Sequence, residues 1–324
     1  MTASVPRTAI IIGPTAGGKT ALAVACAGLF AQRTGARAEI ISADSMLVYR
    51  GLDIGSAKPT AQEMGGVPHH LIDICDPTEP FTVQEWLERA EAAISDIRAR
   101  GHWPIVVGGT HLYVKALLDG LFDGPGADPA IRERLGALAP AELRARLEAI
   151  DPPLAQKLHP NDLRRTIRAL EVFELTGKPM SEHQTQWDAS RDAGPTDRTL
   201  IGIEWPVELI NPRINARVKE MFSRGLLEEA RGLFAAGKFG AQAREALGYK
   251  QLIAHFEVRC TLDEAIEEIK IETRRFAKNQ RTWARRLRLT PGACRIDAAA
   301  IPVEHWSELV LDACSRPLDP HPSA

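Results

Sequence analysis

Residues 13–20 read Gly13-Pro14-Thr15-Ala16-Gly17-Gly18-Lys19-Thr20, which fits G-x-x-x-x-G-K-[ST]. No other stretch constrains the fold as tightly. Such a loop needs a strand before it and a helix after it, and both are present: Thr8–Ile12 is a short β-branched run, and Ala21–Ala31 has helix-forming composition. Its glycines let backbone N–H groups turn inward around a phosphate, and the helix start adds unpaired donors and partial positive charge. Lys19 supplies a mobile charge, and the Thr20 hydroxyl can ligate Mg²⁺. A chance match in a chain of 324 residues is on the order of one in a hundred. The loop therefore predicts a site for a di- or triphosphate, by default a nucleotide such as ATP.

The surrounding pattern extends the prediction to an α/β fold. Ala21–Ala31 is apolar nearly all round and reads as a buried helix. Glu39–Ala43 is a second strand ending at Asp44. Thr82-Val-Gln-Glu85 is a capping box for a helix running to about Arg100. Ile105–Val107 is a third strand, ending in Gly108-Gly109-Thr110, with another helix behind it. This alternation predicts a P-loop NTPase-like parallel sheet flanked by helices. From Phe122 the pattern changes to successive helices, with Leu163, Ile167 and Leu170 on one face. Residues 122–198 read as an all-helical insertion closed by the polar stretch Asp188–Arg198. Residues 1–121 and 199–324 then form the core, with a returning strand at Thr199–Trp205 and mostly helices after it, one of them opening on the capping box Thr261-Leu-Asp-Glu264.

Ligands bind outside the carboxyl ends of strands in such sheets. Asp44 and Thr110 should therefore lie near the phosphate loop. A carboxylate at Asp44 has two readings, holding Mg²⁺ or acting as a general base. No hydrophobic strand ends in a second acid of the motor-ATPase type, since Gly108 follows Val107. His69, His70, Asp73 and Cys75 match no standard zinc spacing and read as turn or core. Trp86 and Trp103 are assigned to the core. The five cysteines are scattered, with no Cys-x-x-Cys pair, and no signal-peptide pattern opens the chain. A soluble cytoplasmic protein with reduced thiols and no membrane segment is expected.

Charge is segregated. Lys+Arg total 40 and Asp+Glu 42, a net of −2. Residues 270–290 nevertheless hold eight basic residues and one acid, a net of +7 against −9 for the rest. Arg274, Lys278, Arg281, Arg285 and Arg288 recur at 4, 3, 4, 3 and share one helical face, with Ile266, Ile269, Thr273, Phe276, Trp283 and Leu287 opposite. A nearly acid-free stripe points to a polyanion. Arg164, Arg165 and Arg168 form a second cluster. Three function classes fit these parts: transfer from a phosphorylated donor to RNA or DNA, a P-loop kinase of a small metabolite, and a non-catalytic nucleotide-dependent RNA-binding protein.

The motifs GPTAGGKT, SADSMLVYRGLDIGSAKPT, VPHHLIDICDP, VVGGTHLYVKALLDGL, HPNDLRRTIRALEVF, LGYKQ and KNQRTWARR occur in the order seen in tRNA dimethylallyltransferases (isopentenyl-pyrophosphate transferases). The chain resembles this family over nearly all of residues 7–290. The resemblance implies transfer of a dimethylallyl group from dimethylallyl diphosphate to N6 of the adenine at position 37, beside the anticodon, in tRNAs reading codons that begin with U. It implies that Gly13, Pro14, Thr15, Ala16, Gly17, Gly18, Lys19 and Thr20 hold the diphosphate, with Thr20 near Mg²⁺ and Asp44 as the base. It implies tRNA contacts at Asp44, Ser45, Met46 and Leu47, at Thr110 and Arg132, at Arg164, Arg165, Thr166, Ile167 and Arg168, and at Lys278, Asn279, Gln280, Arg281, Thr282, Trp283, Ala284 and Arg285. Arg213 is assigned to the diphosphate, with Arg217 one turn on as the alternative. Glu245 stands before LGYKQ where the family can carry a basic residue. No Cys/His zinc finger follows the core, unlike eukaryotic members, so a bacterial-type protein is implied. A monomer acting on the anticodon stem-loop is expected.

Overall fold

The computed structural model describes residues 5–121, 124–183, 197–287 and 293–316. Its centre is a six-stranded, fully parallel sheet in the order β3-β2-β4-β1-β5-β6. Along the chain, β1 (Thr8–Ile12) leads into α1 (Lys19–Thr34), then β2 (Ala38–Ser42), the single turn α2 (Ala61–Met64), β3 (His69–His70), α3 (Val83–Ala99), β4 (Trp103–Gly108) and α4 (His111–Asp119). The insertion follows, with α5 (Pro129–Gly136), α6 (Pro140–Ile150), α7 (Pro152–Lys157), α8 (Leu163–Thr176) and α9 (Met180–His183). The chain returns through β5 (Arg198–Glu204), α10 (Val207–Ser223), α11 (Leu226–Ala235), α12 (Tyr249–Phe256), the long α13 (Leu262–Leu287), β6 (Cys294–Asp297) and α14 (Trp306–Ser315).

Strand residues alternate between two cores because successive side chains leave opposite faces. Ile10, Ile12, Ile41 and Val106 join Trp86 and Tyr113 on one face. Ala9, Ile11, Ile40, Ile105, Ile201 and Ile203 join Leu22, Phe30, Trp103 and Trp306 on the other. Both faces are covered, so all five residues of β1 and of β2 are buried, as parallel strands require. Trp86 and Trp103 are fully buried, each with an indole N–H bonded to a backbone carbonyl, Ser42 and Arg7 respectively.

Three expectations are corrected. First, α1 is not enclosed: Ala21, Ala25, Gly28 and Ala31 are exposed, while Leu22, Ala23, Cys26, Ala27 and Phe30 are buried. Small side chains on the outer face make such a helix look apolar all round. Second, β3 and β6 are strands without a periodic signal in the sequence. A two-residue edge strand is too short for periodicity, and β6 is short and mixed in polarity. Third, the buried face of α13 is Ala265, Ile269, Ala277, Gln280, Ala284 and Leu287. Phe276 is 40 % exposed and Trp283 half-buried, so the apolar side lies rotated from the expected one.

Contact density divides the chain into two units, residues 1–118 with 195–324 and residues 119–194. The second unit has its own core of Leu135, Leu143, Leu147, Leu154, Ala155, Ala169 and Leu170. The expected polar stretch Asp188–Arg198 and the stripe residue Arg288 lie wholly or largely outside the described residues. Among the described residues no helix is long and apolar enough to cross a membrane.

Candidate active site at the carboxyl edge of the sheet

Strand register brings three chain segments to one edge. Ile12 pairs with Gly108 and Ser42 with Val107, so Gly13, Ala43-Asp44 and Gly109 leave the sheet side by side. Beyond the strands the knitting continues: Thr110 N–H donates to Ala43 O, and Ser45 N–H donates to the Thr110 hydroxyl at 3.0 Å. Asp44 Oδ1 accepts the Met46 N–H at 2.9 Å, forming an Asx turn that shapes residues 44–47.

Helix α1 starts at Lys19, so Lys19 and Thr20 belong to its first turn rather than to the loop. Gly18 caps it at φ +85°, a left-handed conformation that favours glycine, while Ala16 sits at φ +59° without that freedom. Gly17 N–H and Lys19 Nζ both donate to Pro14 O, at 3.1 and 2.9 Å. The N–H groups of Gly18, Lys19 and Thr20 have no acceptor among the described residues, the usual state of a helix start. Burial, with the positive charge of Arg217, pushes the Lys19 ammonium down to about 8, and Asp44 opposes that shift. Burial likewise lowers Arg217, which feels Glu63, Glu220 and Asp44 but makes no ion pair within 4 Å among the described residues. These are cations without a direct ion pair among the described residues, beside amide donors that lack an acceptor, an arrangement suited to a multiply charged anion.

The expected site residues fall into distinct positions. Arg213 is exposed, donates from Nε to Ala16 O at 3.1 Å and lies over the Trp205 ring at 4.7 Å. It braces the loop, whereas Arg217 is the arginine electrostatically linked to Lys19 and Asp44. On α13, Lys278, Asn279, Thr282 and Arg285 are exposed and Arg281 and Trp283 half-buried. Burial and the neighbouring Arg285 lower the Arg281 guanidinium.

Gln280 and Ala284, expected among the tRNA contacts, are buried at 2 % and 4 % exposure. They sit on the inward face because 280, 284 and 287 follow helical spacing from Ile269 and Ala277. Gln280 instead accepts the Thr15 N–H at 2.7 Å and donates to Gly109 O at 3.2 Å.

In the insertion, Thr166 is buried at 2 % and its hydroxyl donates to Asp162 O. Arg164 and Arg165 are exposed, and Ile167 packs on the insertion core. Arg132 and Arg168 are both bonded to the fully buried Glu171, which also accepts the Asp128 N–H at 2.7 Å.

His70, Asp73 and Cys75 sit in structural roles. His70 pairs with Glu39, Asp73 with Lys58, and Cys75 is buried. Sequence reading missed Trp205 and His111 as parts of this edge, and it gave Gln280 a tRNA contact rather than a place against the loop. His111 opens α4, contacts Gln280 O through Nε2 at 3.3 Å and stacks on Trp283. Burial pushes its imidazole down to about 4, so it is neutral at physiological pH.

The chain matches the model of the IPP transferase family over residues 47–287 and that of the isopentenyl transferase family over residues 6–75. It is 48 % identical over 278 residues to a tRNA dimethylallyltransferase of Shouchella clausii, covering 84 % of this chain and 86 % of the relative. It is 47 % identical over 284 residues to a tRNA dimethylallyltransferase of Geobacillus kaustophilus, covering 86 % and 87 %. Among solved structures it resembles the full-length tRNA isopentenylpyrophosphate transferase of Bacillus halodurans, with 38 % identity, 95 % of each chain covered and a TM-score of 0.68. It also resembles a eukaryotic dimethylallyltransferase acting on tRNA, with 28 % identity, 91 % of this chain and 75 % of the other covered, and a TM-score of 0.72.

Proposed function

The chain belongs to the IPP transferase family, and from that premise we propose that it is a tRNA prenyltransferase. It moves a dimethylallyl group from dimethylallyl diphosphate to N6 of adenosine 37, 3′-adjacent to the anticodon, in tRNAs reading codons that begin with U. The products are N6-dimethylallyladenosine and diphosphate. The observation that carries this reading is the phosphate loop with Lys19 leaving the sheet beside Asp44, where Ile12 pairs with Gly108 and Ser42 with Val107, with the Arg217 charge felt at Lys19. Family membership favours it over a small-metabolite kinase.

The chemistry separates charge. Breaking the allylic C–O bond leaves positive charge on the isoprenoid and negative charge on the diphosphate. The amides of Gly18, Lys19 and Thr20 and the side chains of Lys19 and Arg217 stabilise that anion. A Lys19 ammonium at about 8 stays mostly protonated at neutral pH. The adenine N6 lone pair is delocalised into the ring and attacks poorly. As N6 bonds to the allylic carbon, Asp44 takes the N6 proton, a contribution of roughly 10² to 10⁴. Unstacking the base costs least in a single-stranded loop, and Lys278, Arg281 and Arg285 hold the RNA backbone.

Mg²⁺ fits the donor set. The Thr20 hydroxyl has no hydrogen-bond partner among the described residues, and the ion takes one or two protein oxygens and fills the rest with phosphate and water. Thr20 would hold it, with phosphate and water oxygens completing the set. When bound, it neutralises charge on the leaving diphosphate.

Incubating the protein with tRNA and either dimethylallyl diphosphate or ATP, then measuring nucleoside masses, tests the reading. Isoprenylated adenosine with the first donor and no ATP is expected. Turnover only with ATP, or no modified nucleoside, overturns it.

A further inference from the structure

Three consecutive residues of the phosphate loop are held from outside by side chains of three different elements. Gln280 on α13 takes the Thr15 N–H at 2.7 Å, Arg213 on α10 reaches Ala16 O at 3.1 Å, and Trp205 just beyond β5 donates to Gly17 O at 3.1 Å. Ala16, at φ +59°, persists in that conformation because its surroundings over-determine it. Of the three holders, Gln280 alone is buried, and it alone reaches a second strand end. Its amide is used at both ends, with Oε1 accepting from Thr15 and Nε2 donating to Gly109 O. The fit leaves no slack: a Cβ on Gly109 would stand 2.1 Å from Gln280 Nε2. Lys278 and Arg281 flank this side chain in sequence but lie toward the surface.

We propose that Gln280 is a positioning residue for the diphosphate, setting the Thr15–Gly17 backbone against Gly109 from within the basic helix, and that it does not contact tRNA. The proposal rests on the reading of the loop as the diphosphate site. A loop whose amides are aligned before the anion arrives binds it without the cost of ordering them. A side chain that both accepts and donates is required: glutamate keeps only the acceptor for Thr15, and methionine keeps neither.

The test measures Mg²⁺–pyrophosphate affinity without RNA, and anticodon stem-loop affinity without pyrophosphate, on the full chain. Gln280→Met is expected to weaken pyrophosphate roughly tenfold or more and to leave stem-loop affinity within about twofold. Gly109→Ala, which displaces the same side chain, is expected to do the same. The double variant should bind pyrophosphate no more weakly than the weaker single variant, because one contact is lost in each. Loss of RNA affinity with pyrophosphate unchanged overturns the proposal, and so do additive losses in the double variant. If Gln280→Met does not melt cooperatively, Gln280→Glu is read by the same two affinities. Wild-type protein that binds the stem-loop but no pyrophosphate overturns the reading of the loop itself.

Discussion

The indole N–H of Trp205 donates to the carbonyl of Gly17 at 3.1 Å, tying the end of β5 to the back of the phosphate loop. The same ring carries the Arg213 guanidinium on its face, and Arg213 in turn holds Ala16 O. Trp205→Phe keeps a ring but removes the donor, leaving Gly17 O without this partner, a loss of about 1–3 kcal/mol. A several-fold rise in KM for dimethylallyl diphosphate is expected, with KM for tRNA unchanged. Steady-state kinetics check it.

Asp44 shapes a turn as well as offering a base, so the two roles need separating. Asp44→Asn keeps an oxygen for the Met46 N–H and loses the proton acceptor. Both Asp44→Asn and Asp44→Ala are expected to cut transfer at saturating donor by roughly tenfold or more. The Asn variant should retain stem-loop affinity. Normal turnover in Asp44→Asn would remove Asp44 as the base.

Arg281 lies half-buried beside the exposed Arg285 on α13. Arg281→Ala is expected to weaken tRNA binding and to flatten the slope of log affinity against log salt by about 0.7–0.9, the value for one lost phosphate contact. Binding isotherms from low to moderate salt measure it. An unchanged slope assigns the residue to a solvated face.

His111 is held neutral in the fold, with its pKa pushed by burial from 6.5 to about 4. The unfolded chain therefore binds one more proton than the folded chain between those values. Its stabilising effect is full above about 6.5 and falls as pH drops toward 4. His111→Gln is expected to flatten the pH dependence of thermal stability in that window. Glu39, held below its usual range by His102, His70 and Arg100 against the cost of burial, acts at still lower pH. A stability profile of the Gln variant that keeps the wild-type slope would contradict the assignment.

Glu171 is fully buried and bonded to Arg132, Arg168 and the Asp128 N–H. Glu171→Ala strands these donors and is expected to cost about 3 kcal/mol of stability in the helical insertion. Chemical denaturation followed within residues 124–183 checks it. Arg132→Ala will then lower stability as well as any RNA contact, so its binding defect has to be measured below the unfolding transition.

Motif and periodicity carried much of the architecture. β1, β2, β4 and β5 lie within two residues of the expected strands, and α3 begins at the Thr82–Glu85 capping box. Burial along α1 and α13 was less legible, since exposed alanines read as apolar and a glutamine reads as polar.

The sequence by itself determined that a phosphate loop sits between a strand and a helix, that charge is gathered on one long helix, and that the motifs follow one family's order. These signals are local, or repeat at a fixed spacing. Only the tertiary structure decided which side chains hold the loop. Gln280 meets Thr15 across 265 positions and Trp205 meets Gly17 across 188. No periodicity marks a hydrogen bond between such distant residues. It exists only because parallel strands bring their carboxyl ends to one edge, and because a helix packed against that edge turns its one buried amide toward them.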